Sequence, residues 1–456
     1  MWVTGELARF VTDLTFDQIP KEEVQAVRKV LLDYLGCGIA GTAAQSSEVL
    51  KEYFCTIGGK EECSIFGSPV KIPAANAVFL NSTMAHSHDF DDTHDKAFIH
   101  PGVLVIPAAL AIAEQREVDC KSFITALVAG YEVHTRIALG SNVGPNSGWV
   151  LTSTCGIFGA AAAVGKLLEL GHNQMVNALG IAHCMSSGNS QTIKDGVLSK
   201  RLQVGHASSM GVLSALLAHK GFTGAHNAFD GTFSFHKVYF RDYELLKVTK
   251  DLGKRFEIAN VSFKPYPCCR FTHSSADAMF KLVEQHKLEP DDVCKIEIRV
   301  TKQVKVMVCE PEEKKKKPET VVDAQFSIPY VVASILVNKH LFVDEFTETS
   351  IRNPKILETS AKVQCLVDEE LDRLAGRELA PVIVTVETNV GDRYYQRVDR
   401  ARGHPKNPMS EKDLMEKFMA NAAKLLPDKN IRGICSAIGN IEQLKDFKNI
   451  MTLMHG

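Results

Sequence analysis

Apolar positions along the first half of the chain recur every three to four residues, in blocks long enough for helices. After the capping and acidic stretch Asp17–Glu22, Val24, Val27, Leu31, Leu32 and Leu35 keep helical spacing, so residues 6–40 read as two helices. The same spacing predicts helices over Ser46–Phe54, Ala74–Phe79, Val103–Ala113, Cys120–Leu139, Trp149–Leu170, Asn173–His183 and Gly205–Ala218. Cys63–Val70 is strand-like or irregular, interrupted by Gly67 and Pro69. Between the last two helices, residues 188–205 read as a polar connection carrying Lys194, Lys200 and Arg201.

The pattern changes near residue 260. Cys294–Val300 and Pro381–Thr388 alternate apolar and polar residues with the period of a half-buried strand, and Gly391-Asp392 leads into a partner strand through Tyr395. Asp323–Leu336 and Ile356–Val367 read as helices, and the charge run Glu310–Lys317 as a solvated loop. Ser410–Leu426, opened by the capping sequence Ser410-Glu-Lys-Asp, and Ile438–Leu444 return to helix. The expected fold is therefore mainly α. A large helical domain is drawn from 1–260 and again from 401–456, with a smaller α+β domain over 261–400. No solenoid period is present.

Composition narrows the partners. With 456 residues the chain exceeds one ordinary core, and 45% hydrophobic against 23% charged residues describes a globular protein. A net charge of −2 gives no electrostatic reason to expect nucleic acid or an anionic membrane. No apolar run suits a membrane helix, and Met1–Arg9 lacks the features of a signal peptide. The 12 cysteines show no zinc spacing, and Cys37, Cys155 and Cys184 lie in apolar stretches as buried thiols would. A reducing compartment is expected, cytoplasm or an organelle matrix.

Three stretches could carry chemistry. Between Asn81 and Gly102, His86, His88, His94 and His100 alternate with Asp89, Asp91, Asp92 and Asp95, between flanks that read as core. His86 and His88 with the nearby aspartates could ligate a metal, but no helical ligand spacing supports it, so no metal is expected. The second stretch is Ser199-Lys-Arg-Leu. The third, Phe263-Lys-Pro-Tyr-Pro-Cys-Cys-Arg-Phe-Thr-His273, sits at the junction of the two units, where clefts form. Thr152-Ser-Thr-Cys-Gly before a Gly/Ala run adds a helix start whose hydroxyls, Ser153 and Thr154 among them, either face an anion or serve packing alone. No phosphate-binding loop, dinucleotide fingerprint or serine-hydrolase elbow occurs. Lysines, arginines, histidines and carboxylates together suit a small polycarboxylate. Lys200, Lys264, Arg201 and Arg270 would clamp its carboxylates, with His88 beside them, while Asp89 or His100 moves a proton at carbon.

These motifs resemble the MmgE/PrpD family of 2-methylcitrate dehydratases, cis-aconitate decarboxylases and iminodisuccinate epimerases. The resemblance is carried by His86-Ser-His-Asp-Phe-Asp-Asp-Thr93, His100-Pro-Gly, Thr152-Ser-Thr-Cys-Gly-Ile-Phe-Gly, Ser199-Lys-Arg-Leu, Gly221-Phe-Thr-Gly, the 263–273 stretch and Gly403-His-Pro-Lys-Asn-Pro, in the same order along nearly the whole chain. It implies a helical domain built from both chain ends, an α+β lid, a homodimer, and a site between body and lid that needs no metal or organic cofactor. It also implies active-site roles for Asp89, Thr93, His100, Lys200 and Lys264. Two positions depart from the family pattern. A Phe-His-Pro segment of the decarboxylase and dehydratase branches reads Trp149-Val150-Leu151 here, and the hinge motif carries Cys268-Cys269-Arg270. The first expectation is a hydro-lyase of the 2-methylcitrate dehydratase type, with His273 as a second proton carrier. An epimerase using Lys200, Cys269 and His273 is the main alternative, and a decarboxylase or a catalytically inactive binding protein stand behind it.

Overall fold

In the computed structural model, which describes residues 2–144, 147–376, 380–444 and 447–455, the chain forms two large hydrophobic cores and a small cluster of Cys37, Phe90 and Val343. The larger core draws on Val3 to Phe263 and again on Met409 to Met454, and the smaller on Tyr266 to Val398. The first body comprises α1 (Val3–Asp13), α2 (Lys21–Ala40), α3 (Gln45–Ile57), a hairpin of β1 (Cys63–Ile65) and β2 (Ser68–Ile72), α4 (Ala74–His86), α5 (Gly102–Gln115), α6 (Cys120–Gly140), α7 (Leu151–Leu167), α8 (His172–Met185), the short α9 (Gln191–Asp195) and α10 (Ser199–His219). Among the described residues no helix is long and apolar enough to cross a membrane.

Helix α7 is buried along its whole length apart from Lys166, which explains why its sequence is apolar on every side. Its glycines set the crossing with α6. A Cβ on Gly159 would stand 2.8 Å from the Gly130 carbonyl oxygen, and one on Gly130 2.9 Å from that of Gly159. The Gly/Ala run thus serves backbone-to-backbone packing.

The α+β unit is a four-stranded sheet in the order β4-β3-β5-β6, with β3 (Val293–Val300), β4 (Val363–Val367), β5 (Val382–Thr388) and β6 (Arg393–Val398). β3 runs parallel to β4 and antiparallel to β5, and β6 closes the other edge antiparallel to β5. Helices His273–His286 and Ile328–Asn338 supply buried faces to the same core.

Five sequence expectations are corrected. Ile356–Val367 is not one helix: Pro354–Ala361 is helical, and Val363–Val367 is the sheet-edge strand β4. Its apolar run is too short for periodicity to separate the two, and pairing with β3 decides it. Within Glu310–Lys317, Glu312–Lys316 forms a short helix that buries Lys315. Ile438–Leu444 continues no helix, because the helix over Asp428–Gly439 ends there and a 3-10 turn follows at Ile441–Gln443. Lys200 and Arg201 lie not in a loop but in the first turn of α10, and Cys184 is exposed although its neighbours are apolar.

Candidate active site

A cavity lined by residues of both lies between the helical body and the α+β unit. Its floor is the loop between α4 and α5. That loop begins where α4 stops at His86, and it turns at Asp89, which has φ 53° in the left-handed region that aspartate tolerates better than most residues. It ends with Asp92 Oδ1 accepting from the Gly102 backbone N–H at 3.0 Å, at the first residue of α5. Tyr131 donates to Asp92 Oδ2 at 3.0 Å. Burial, with Asp33 and Asp91 nearby, pushes the Asp92 carboxyl above its ordinary range.

Asp89 gathers the cations. Lys200 Nζ lies 2.5 Å and Arg201 Nη1 3.2 Å from its Oδ1, while Lys264 Nζ lies 3.0 Å from Oδ2 and 2.7 Å from the Asp89 carbonyl oxygen. All four side chains are buried. Burial alone would raise Asp89, but Lys200, Lys264 and Arg201 outweigh it and hold the carboxyl well below the usual carboxylate range. Lys200 moves the other way, down to about 8, because burial and the neighbouring Arg201 oppose its charge and it shares Asp89 with two other cations.

Lys200 Nζ is also 2.7 Å from His86 Nε2, and His86 Nδ1 is 3.0 Å from both oxygens of Asp91. The ring is neutral, since burial takes its pKa to about 3. This network assigns the proton to Nδ1, which donates to Asp91, and leaves Nε2 accepting from Lys200. His100 Nδ1 lies 2.9 Å from Asp91 Oδ2, at ion-pair distance but without hydrogen-bond alignment, and the two imidazoles meet edge to face at 4.8 Å. Burial lowers His100 as well, against the pull of Asp91. With Nδ1 toward Asp91, Nε2 has no hydrogen-bond partner among the described residues, and the ring lines the cavity.

His86, Asp91 and His100 offer ligand atoms all within 4.8 Å of one another, a spacing that could hold a cation. The Lys200 ammonium on His86 Nε2 opposes this, since it fills that lone pair with a donor and repels a positive ion.

A second cluster stands beside the first. Asp95 receives Arg270 Nε at 3.2 and 3.1 Å, Ser262 Oγ at 2.8 Å and Thr93 Oγ1 at 2.8 Å. Thr93 and Ser262 exchange backbone hydrogen bonds of 2.9 and 2.6 Å, stitching the loop to the segment that leaves the body. From the α+β unit, Gln325 accepts from Arg201 Nη2 and donates to the carbonyls of His88 and Pro267 at 2.9 and 3.3 Å.

The MmgE/PrpD N-terminal domain matches residues 5–246, and the MmgE/PrpD C-terminal domain residues 266–438. The chain belongs to the MmgE/PrpD family. Among curated relatives, cis-aconitate decarboxylase of Homo sapiens is 28% identical over 469 aligned residues, spanning 100% of this chain and 95% of that protein. Cis-aconitate decarboxylase of Aspergillus terreus is 25% identical over 479 residues, spanning 99% and 96%. Mitochondrial 2-methylcitrate dehydratase of Yarrowia lipolytica is 23% identical over 479 residues, spanning 95% and 86%.

Of the residues that MmgE/PrpD resemblance singles out, Asp89, Lys200 and Lys264 are in direct contact, and His100 and Thr93 line the same cavity. Cys269 and Arg270 line it too, and Arg201 reaches it through Asp89. The other four are directed elsewhere. His88 Nε2 is bound to the Ala40 carbonyl at 3.0 Å, and His273 Nε2 lies 3.2 Å from the Cys268 carbonyl. The hydroxyls of Ser153 and Thr154 donate back to the Val150 carbonyl, and of that helix start only Leu151 and Thr152 line the cavity. Thr152 Oγ1 accepts from the His100 backbone N–H at 3.1 Å. From sequence, His86, Asp91 and Asp95 stand out only as members of the His/Asp window, His86 and Asp91 also as metal ligands, and nothing points to a role for Gln325. The one sign of Gln325 in the sequence is a glutamine between Ala324 and Phe326 in a largely apolar stretch.

Proposed function

We propose that the protein is a lyase acting on a small di- or tricarboxylate, and specifically a hydro-lyase of a citrate-like substrate such as 2-methylcitrate. One observation carries the reading. Lys200, which lines the cavity, and Lys264 and Arg201 behind it converge on Asp89, while Asp91 is paired with His86 and His100, so three buried cations share one carboxylate beside an imidazole whose pKa burial lowers. Buried cations in excess attract carboxylate oxygens and stabilise the charge that builds on a carboxylate when a proton leaves its α-carbon. His100 Nε2, with Nδ1 held toward Asp91, would take that proton. The electron pair would move into the carboxylate held by Lys200 and Lys264, then return to form the double bond as hydroxide departs. Lys200, at about 8, is charged at neutral pH and holds its proton loosely enough to give it to the leaving oxygen.

A second reading, decarboxylation of a substrate like cis-aconitate, is favoured by the relatives at 28% and 25% identity. There the same cations would hold the remaining carboxylates while the carbon–carbon bond breaks. Epimerisation needs a second proton carrier on the opposite face. His273 lies outside the cavity lining and burial pushes Cys269 up to about 11, so neither supplies one readily near neutral pH. The proposal extends to the homodimer that family resemblance implies, which sedimentation would check.

The deciding experiment is proton NMR in D2O with citrate, 2-methylcitrate, cis-aconitate and iminodisuccinate. Loss of a hydroxy acid with a new vinyl signal and no bicarbonate supports the hydro-lyase. Release of bicarbonate from cis-aconitate replaces it with the decarboxylase. Deuterium uptake next to a carboxylate without elimination replaces both with an epimerase, and silence across the panel overturns the reading.

A further inference from the structure

Beside Lys200 and its partners the cavity lining carries a group of residues of different character. Phe98, Trp149, Val150, Ile193, Phe271 and Met307 all belong to it, and each is only half-buried. They come from both halves of the molecule. Phe98 and Trp149 are fringe members of the larger core, and Ile193, Phe271 and Met307 of the smaller one, so each core leaves apolar surface uncovered toward the same space. The Phe98 and Phe271 rings meet across the two units with centroids 6.2 Å apart. Phe98 is held with φ 56°, a costly backbone state for a bulky residue, and in that state its ring reaches the cavity. Lys200 itself touches apolar lining, its Nζ standing 5.3 Å from the centroid of the Phe326 ring.

A small polycarboxylate satisfies only the charged groups. It would leave a wall of uncovered aromatic and aliphatic surface wet, at a cost that grows with its area. Building on the carboxylate site proposed above, we propose that the substrate carries an apolar substituent of several carbons on its polycarboxylate head. The carboxylates sit at Lys200 and Lys264, and the chain runs along Val150, Ile193, Phe271 and Met307 toward the mouth. Val150 matters most in this arrangement, because a polar group at that position would face the first carbons of the chain.

Unreactive 2-alkylsuccinates test this by calorimetric titration of the full-length protein, with succinate, 2-methyl-, 2-propyl-, 2-pentyl- and 2-heptylsuccinate as probes. Each methylene covered by the wall is expected to lower Kd about 3- to 4-fold, so that the pentyl compound binds at least ~50-fold more tightly than succinate. In Val150→Asp and in Met307→Asp the gain per methylene, taken as a ratio within each variant, is expected to fall below about 1.5-fold. Succinate binding with no gain, or with weakening, along the series overturns the inference and leaves the lyase reading standing. A gain that survives both variants places the chain elsewhere and also overturns it. If succinate and every homologue fail to bind, the inference and the carboxylate-site reading fall together. A gain with no turnover of any polycarboxylate removes the lyase reading alone.

Discussion

At the scale of single residues, the site depends on how three buried cations share one carboxylate. Asp89→Asn would leave Lys200, Lys264 and Arg201 facing a neutral amide inside the protein, and stranded buried ions cost on the order of 3–5 kcal/mol. Urea unfolding should register that loss, and kcat/KM should fall by at least ~100-fold as the lysines lose their positions. Lys200 gives a separate test through pH. Its pKa is lowered to about 8, so it is charged below that pH and loses its proton above it. The pH profile of kcat/KM should therefore decline above about 8, and Lys200→Arg should lack that limb whatever its absolute rate, since a guanidinium stays charged. Much of this cluster is legible in sequence because the His/Asp window is contiguous and its flanks are apolar. Asp95 and Gln325 were not. Their roles come from partners such as Arg270 and Arg201, far away in the chain, and no local pattern encodes such a pairing.

At the scale of elements, the decisive contact is where the chain leaves the helical body near Phe263 and re-enters it near Gly403. The two crossings touch: the Phe263 backbone N–H donates to the Gly403 carbonyl at 3.0 Å, and a Cβ on Gly403 would stand 1.7 Å from the Phe263 carbonyl oxygen. Gly403 also has φ 88°. Gly403→Ala should thus meet both backbone strain and a collision with main chain, at a cost of at least ~2 kcal/mol. Because Lys264 follows Phe263 directly, kcat should fall along with thermal stability. Gly391→Ala is the control: it has φ 92° but open space around the new methyl group, so only strain of about 1 kcal/mol applies and activity should be kept. The long helices and the strands Val293–Val300 and Val382–Thr388 declared themselves through period. Strand Val363–Val367 and the early start of α10 did not. The first is too short to show a period, and the second begins with charged residues that read as a loop until Asp89 gives them a partner.

At the scale of the whole molecule, the chain's return to its first body is tied to the active-site loop through one buried lysine. Lys417, on the helix Glu411–Ala422, places Nζ 2.6 Å from Asp33 Oδ1 on α2, 2.7 Å from the Phe90 carbonyl oxygen and 3.9 Å from the centroid of the Phe90 ring. The Phe90 ring in turn meets Phe342 of the α+β unit edge to face at 5.4 Å. Phe90 is thus where the N-terminal body, the C-terminal helices and the second unit converge, and it sits between Asp89 and Asp91. Lys417→Met would strand Asp33 as an unpaired buried carboxylate and should cost roughly 3–5 kcal/mol. Asp33→Leu combined with Lys417→Met removes the charge problem and should recover most of that stability in urea unfolding. It cannot restore the donor to the Phe90 carbonyl, which stays unsatisfied at ~1–3 kcal/mol. The double variant should therefore be nearly stable yet catalytically weak, with the loss in kcat rather than KM, because the lysines proposed to bind carboxylates remain while the loop that carries Asp89 and Asp91 shifts. Equal recovery of stability and kcat would show instead that Lys417 serves folding alone and that the loop holds its geometry without the C-terminal helices.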